Sequence, residues 1–266
     1  MGTRQGVALV TGASAGIGRE FCRQLAAGGY DIVAVARRSE RLAALTQELE
    51  AAYPVRVTAL TVDLGAPDAV STILAAVAGL EVDLLINNAG YGVPGRYLSS
   101  PWPVHGRFQR VMMDVVAELT YALVAGMCRR QQGAIINVAS LAGFLPGSAG
   151  HTLYAAAKAW MIRFSESLAL ECEPDGVRVC ALCPGFTHSE FHDVTGTRQQ
   201  LAALPGWMWM SAERVVREGL AASAAGRLVY IPGRINRALA TLAACLPQAL
   251  TQHLARRESR RFRDTH

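Results

Sequence analysis

Seven short, nearly unbroken apolar runs, each divided from the next by helical periodicity or a long irregular excursion, restrict this chain to very few architectures. The runs are Val7–Val10, Asp31–Ala36, Val55–Val62, Val82–Asn87, Ala134–Ala139, Arg178–Cys183 and Leu228–Ile231. Between them, apolar residues recur at helical spacing near 16–29, 40–52, 67–78, 103–130, 154–173 and 211–225. A strand with one wet face alternates apolar and polar residues, whereas a strand covered on both faces reads as a continuous apolar run. Strands alternating with helices of this length form βαβ units. The expectation is an α/β fold with a doubly wound parallel sheet, whose ligands bind beyond the carboxyl ends of the strands.

With 266 residues, 51% of them hydrophobic and only 18% charged, the chain has enough apolar surface for one large core. A single domain is expected over residues 1–234, with 186–210 as a substrate lid after the sixth strand. Residues 235–266 are expected to form an amphipathic helix followed by a basic tail. The longest apolar run near the C-terminus, Ala238–Leu246, stops at Pro247, short of the roughly 18 residues of a membrane span. The first strand starts within a few residues of Met1 with no signal-peptide layout, so a cytoplasmic protein is expected. Residues 235–266 carry six arginines against Glu258 and Asp264, while the rest of the chain is close to neutral. A solvated end is the plainer reading and no nucleic-acid partner is expected; peripheral membrane contact through the C-terminal helix stays open. Cys180 and Cys183 lie three apart on a strand, facing opposite ways, and are expected to be core thiols and not a metal or disulfide pair.

The first run leads into Thr11-Gly12-Ala13-Ser14-Ala15-Gly16-Ile17-Gly18 and then a helix. Glycines there allow a tight turn and close approach of a pyrophosphate to the helix N-terminus, with its free N–H groups and partial positive charge. Strand, glycine turn and helix in that order make a Rossmann-type dinucleotide site. The second run ends at Ala36-Arg37-Arg38. A site selective for NAD places an acid here to accept from the ribose 2′-hydroxyl, whereas two arginines suit a 2′-phosphate. The expected cofactor is NADP(H).

Lys158 is the only lysine in a chain with 25 arginines, and it closes the string Tyr154-Ala155-Ala156-Ala157-Lys158. Four apart on a helix, the two side chains share a face. An ammonium beside a phenol favours the phenolate and is expected to lower a pKa ordinarily about 10, making the tyrosine a usable acid and base.

These stretches, together with Asp63-Leu64, Asn87-Asn88-Ala89-Gly90, Ser140 and Pro184-Gly185, resemble the short-chain dehydrogenase/reductase family in order and spacing over residues 6 to about 233. Gly206–Ala212 and Ile231-Pro232-Gly233 are similar to bacterial members akin to hydroxysteroid and 3-oxoacyl reductases. The resemblance implies that Gly12, Ser14, Gly16, Ile17, Gly18, Arg37, Arg38, Asp63, Leu64, Asn88, Ala89 and Gly90 hold the cofactor. Asp63 would contact its adenine, and Pro184, Gly185, Thr187 and Ser189 would position the nicotinamide. Ser140 would bond the substrate oxygen and Tyr154 would move its proton, while Lys158 would hold the nicotinamide ribose. A small apolar carbonyl or alcohol substrate and a homodimer or homotetramer follow from the same resemblance, as does the absence of a metal.

One departure stands out. The family usually carries an asparagine on the helix before the fifth strand, holding a water that feeds the lysine. Ungapped counting puts Met112 there, and no asparagine occurs between Asn88 and Asn137. Asp114 could substitute only if the helix is irregular, because two residues along a regular helix is another face. Either protons arrive by another path, through His151 or the 186–210 loop, or redox turnover is impaired and the protein serves as a non-redox catalyst or cofactor-binding regulator. His188 and His192 have zinc-compatible spacing on a helix but no evident third ligand, so a polar lid is the expectation. Trp102, Trp207, Met208, Trp209 and Met210 are expected either to rim an apolar pocket or to pack beneath a loop.

Overall fold

In the computed structural model, residues 5–147, 149–150, 152–188, 190 and 205–246 are described. Strands β1 (Gly6–Thr11), β2 (Tyr30–Ala36), β3 (Val57–Thr61), β4 (Val82–Asn87), β5 (Gly133–Val138) and β6 (Val177–Leu182) alternate with helices. The helices are α1 (Gly16–Ala27), α2 (Ser39–Ala52), α3 (Ala69–Ala76), α4 (Trp102–Gln109), α5 (Val115–Arg130) and α6 (Thr152–Cys172). Then come β7 (Thr187–His188), β8 (Met210–Ser211), α7 (Ala212–Ala224), β9 (Val229–Tyr230) and α8 (Arg234–Cys245). Seven strands form one parallel sheet in the order β3-β2-β1-β4-β5-β6-β9, and β7 pairs with β8. The strand order reverses between β1 and β4, which is where a doubly wound sheet opens its ligand crevice.

Strand periodicity divides the core. Ala8, Val10, Ile32, Ala34, Leu84, Ile86 and Ile136 point to the side covered by α1, α2 and α7, against Phe21, Leu45, Leu49 and Val216. Leu9, Val33, Val35, Leu85 and Ile135 point the other way, onto Ile73, Leu119, Met127 and Ala169 of α3, α5 and α6. Truncating a wholly buried side chain such as Leu45 to alanine costs about 2–5 kcal/mol. A buried polar ladder ties β4, β5 and α6 together beneath the crevice. Asn87 Nδ2 donates to Asn137 Oδ1 at 2.8 Å, and Asn137 Nδ2 donates to Ser165 Oγ at 2.9 Å. All six cysteines are unbridged, and Cys180 and Cys183 are buried.

The local readings shift in three places. Val55 turns inward to Tyr53 O (2.9 Å) after Pro54, so the third strand begins only at Val57. The last strand is a two-residue edge. The helix expected over 103–130 contains a π turn, Arg110–Asp114, that joins α4 to α5. By length and composition this continuous rod, Trp102–Arg130, is apolar enough to cross a membrane, yet it lies along the sheet with Phe108, Met112, Leu119 and Met127 wholly buried.

Candidate active site

The glycine turn closes around Thr11. Its hydroxyl accepts from the backbone N–H groups of Asn88 (3.0 Å) and Ala89 (3.1 Å), and Asn88 Nδ2 donates to Thr11 O at 2.8 Å. Loops after β1 and β4 are thereby drawn into contact. A Cβ on Gly12, where φ is +70°, would stand 2.7 Å from Asn88 Nδ2, and one on Gly18 would overlap Gly12 O. Gly16 has φ +51°, and α1 begins there with no acid in its first turn. The helix end therefore presents N–H groups and positive potential to the crevice, as a pyrophosphate requires.

Beyond Ala36 the chain supplies cations. Arg38 donates to Ser14 Oγ through Nε (3.2 Å) and Nη2 (3.0 Å), and through Nη1 to Glu190 Oε2 at 2.8 Å. Arg41 Nη1 also donates to Glu190, at 2.5 and 2.6 Å. These two guanidinium groups hold the Glu190 carboxyl below the usual carboxylate range. Across the crevice Asp63 is paired with Arg107 and accepts from Gly65 N at 3.0 Å; the hydrogen bond from Arg107 lowers its pKa.

At the other end, Ser140 follows β5 in extended conformation and accepts from Ala142 N at 3.1 Å, capping the 3₁₀ turn Leu141–Phe144. Its side chain is hydrogen-bonded with Tyr154. Lys158 is 4% exposed, donates to Val138 O at 2.6 Å and places Nζ 5.8 Å from the Tyr154 ring centre. Tyrosine and lysine do share a helix face, but the expected pKa effect is reversed. Burial pushes the Tyr154 phenol up to about 12, with the Ser140 hydrogen bond pulling it back. Burial pushes the Lys158 ammonium down to about 8, with Cys183 opposing. Desolvation outweighs the pairing because both groups sit where charge is poorly solvated.

One cavity of about 460 Å³ joins these ends. Of the anticipated residues it is lined by Gly12, Ser14, Gly16, Ile17, Arg37, Arg38, Asp63, Leu64, Asn88, Ala89, Gly90, Ser140, Tyr154, Lys158, Pro184, Gly185 and Thr187. Gly18 stands behind the turn and serves its packing, while Ser189, His151 and His192 lie outside the described residues. Such a cavity, with a glycine cradle at the middle and arginines at one end, fits a dinucleotide. Sequence reasoning missed Arg107, Tyr91, Arg41, Phe186 and Glu190. Only Arg41, one helical turn after Arg38, left a local signal. The tryptophan and methionine residues proposed as a rim do not line the cavity. Trp102 and Trp207 face solvent, Trp209 stacks on His188 at 5.0 Å, and Met210 is buried beside Gly233 and Asn236. Its apolar wall comes instead from Val111, Leu141, Leu145 and Phe186.

Met112, which ungapped counting sets against the family's asparagine, lies beside Gly90. A Cβ on Gly90 would lie 3.2 Å from Met112 Sδ and 3.7 Å from Lys158 Nζ, so thioether and ammonium flank one point. The π turn sends Met112 inward against Phe108 and Ala157, and Asp114 outward to solvent. Asp114 does not substitute. On α8, Asn236 packs on Gly185 and donates to Pro232 O at 2.9 Å, bracing the loop after β6. Ile235, Leu239 and Leu242 of the same helix remain exposed.

A profile of the short chain dehydrogenase family matches residues 6–200. A 7β-hydroxysteroid dehydrogenase of Collinsella aerofaciens is 32% identical over 179 residues, covering 67% of this chain and 68% of that protein. A solved 7β-hydroxysteroid dehydrogenase superposes with a TM-score of 0.85 at 26% identity, covering 95% of this chain and 96% of the other. A short-chain dehydrogenase from Sphingobium yanoikuyae, solved in complex with NADPH, gives 0.80 at 30% identity, covering 92% and 97%. Sequence and shape agree along most of the molecule: the chain belongs to the short-chain dehydrogenase family of oxidoreductases.

Proposed function

We propose that the protein interconverts a ketone or aldehyde and an alcohol on a bulky apolar substrate, with NADP(H) as the hydride carrier and reduction as the working direction. The observation that carries this is the joining, within one cavity, of Ser140, Tyr154 and Lys158 to a cation-lined far end where Ala36 replaces an acid. Arg37 and Arg38 would take the 2′-phosphate, the Gly12–Gly18 turn the pyrophosphate, and Lys158 the nicotinamide ribose hydroxyls. Bound there, NADP(H) would supply the hydride that the carbonyl carbon takes up. The oxygen then gains the charge, and the Tyr154 hydroxyl, held by Ser140, delivers its proton there. A phenol with its pKa pushed up to about 12 is protonated at neutral pH, as reduction requires. Val111, Leu141, Leu145 and Phe186 would exclude water and select an apolar carbonyl. The likeness to hydroxysteroid dehydrogenases supports a polycyclic or similarly bulky ketone.

The test is NADPH oxidation against a panel of ketosteroids and bulky aryl ketones, with Tyr154→Phe alongside. The variant is expected to lose about a hundred- to ten-thousandfold in kcat while still binding NADPH. NADPH binding without oxidation across the panel overturns the assignment.

A further inference from the structure

We propose that Glu190 is an internal competitor for the 2′-phosphate and that Arg41 is a third cation of that subsite. This rests on the reading of the cofactor as NADP(H). Arg38 and Arg41 come from the start of α2, whereas Glu190 lies 152 residues beyond Arg38, after β6. Nothing local in the chain pairs them; the fold brings them together at the mouth of the crevice. The Ser14 hydroxyl accepts from two nitrogens of Arg38 and so fixes its guanidinium plane beside the glycine turn. The remaining nitrogen, with Arg41 Nη1, faces the Glu190 carboxylate. Two converging guanidinium groups around a two-oxygen anion are the arrangement that binds a phosphate monoester.

A 2′-phosphate near neutral pH carries more charge than a carboxylate and a third oxygen. It can therefore take both arginines from Glu190, whereas a neutral 2′-hydroxyl cannot. The carboxylate thus sets a threshold. It weakens 2′-phosphorylated ligands by occupying their cations, and it leaves ligands without that phosphate almost unaffected. Each contact is half-exposed, so the effect is moderate and falls with added salt.

The experiment measures Kd by calorimetry for 2′,5′-ADP and for 5′-AMP, which differ only at the 2′ position, on wild type, Glu190→Gln, Arg41→Ala and Arg38→Ala. Glu190→Gln is expected to tighten 2′,5′-ADP about three- to tenfold and to shift 5′-AMP less than twofold. Arg41→Ala is expected to weaken 2′,5′-ADP about fivefold and leave 5′-AMP unchanged. An unaltered or weaker Kd for 2′,5′-ADP in Glu190→Gln, with Arg38→Ala still weakening it, overturns the competitor and leaves the cofactor reading intact. Wild type binding 2′,5′-ADP no more tightly than 5′-AMP overturns both.

Discussion

Replacing Lys158 with methionine separates what the buried ammonium does for function from what it does to stability. Burial lowers its pKa to about 8 from an ordinary 10.5, a separation worth about 3 kcal/mol. The sign follows from proton counting. Between pH 8 and 10.5 the unfolded chain holds a proton that the folded chain has released, so the Lys158 penalty on wild-type stability fades as pH rises through that window; below pH 8 the whole penalty is present. Methionine removes the penalty but also the bond to Val138 O, at a cost of about 1–2 kcal/mol for an unpartnered carbonyl. The variant is therefore expected to be more stable than wild type at pH 7 by about 1–2 kcal/mol, roughly 4 °C in Tm. At pH 10 it should be less stable. Cys172, Cys180 and Cys183 have raised pKa values and Tyr154 is raised to about 12, so both proteins lose stability as pH climbs above about 9. The quantity to measure is hence the difference between the two proteins by urea unfolding at pH 7, 8.5 and 10. A variant less stable by the same margin at every pH would falsify the argument that burial penalises the ammonium.

Other outcomes follow from the same geometry. Met112→Asn places an amide in the apolar cluster of Phe108 and Ala157; chemical unfolding should show a loss of about 2–5 kcal/mol, while turnover per folded site rises severalfold if proton supply to Lys158 is limiting. An unchanged or lower rate refutes that limit. Gly12→Ala adds strain of about 1–3 kcal/mol at φ +70° and a clash with the Asn88 amide, so NADPH affinity measured by fluorescence titration should fall at least tenfold with a reduced Tm. An affinity within twofold of wild type shows that the turn has no role in binding.

The sheet was legible because both-face burial leaves unbroken apolar runs, and Val82–Asn87 appears in the structure with the bounds read from the sequence. The glycine turn and the Tyr154–Lys158 pair were legible because their partners are local. Val55 was misread because Pro54 diverts the chain, which apolarity alone does not register. The π turn at Arg110–Asp114 escaped because one extra residue in a helical turn barely alters the apolar pattern. The pairing of Arg107 with Asp63, 44 residues apart, and of Glu190 with Arg38 had no signature at all. Such ion pairs arise where loops from distant strands converge, and single-residue charge does not name its partner. The reversed shift at Tyr154 has the same origin: spacing places two groups side by side, but the surrounding dielectric is a property of the finished fold.

The solitary Lys158 turns the bottom of the crevice into a self-reporting position. A reagent that modifies amines meets a single side chain in this protein, and that one is 4% exposed. Apart from any chain-terminal amine, intact mass after reductive methylation thus counts openings of one place. Isotope-enriched methyl groups there would give a lone resonance, readable without mutagenesis or assignment, whose position follows the proton on that nitrogen and the arrival of anything laid over it.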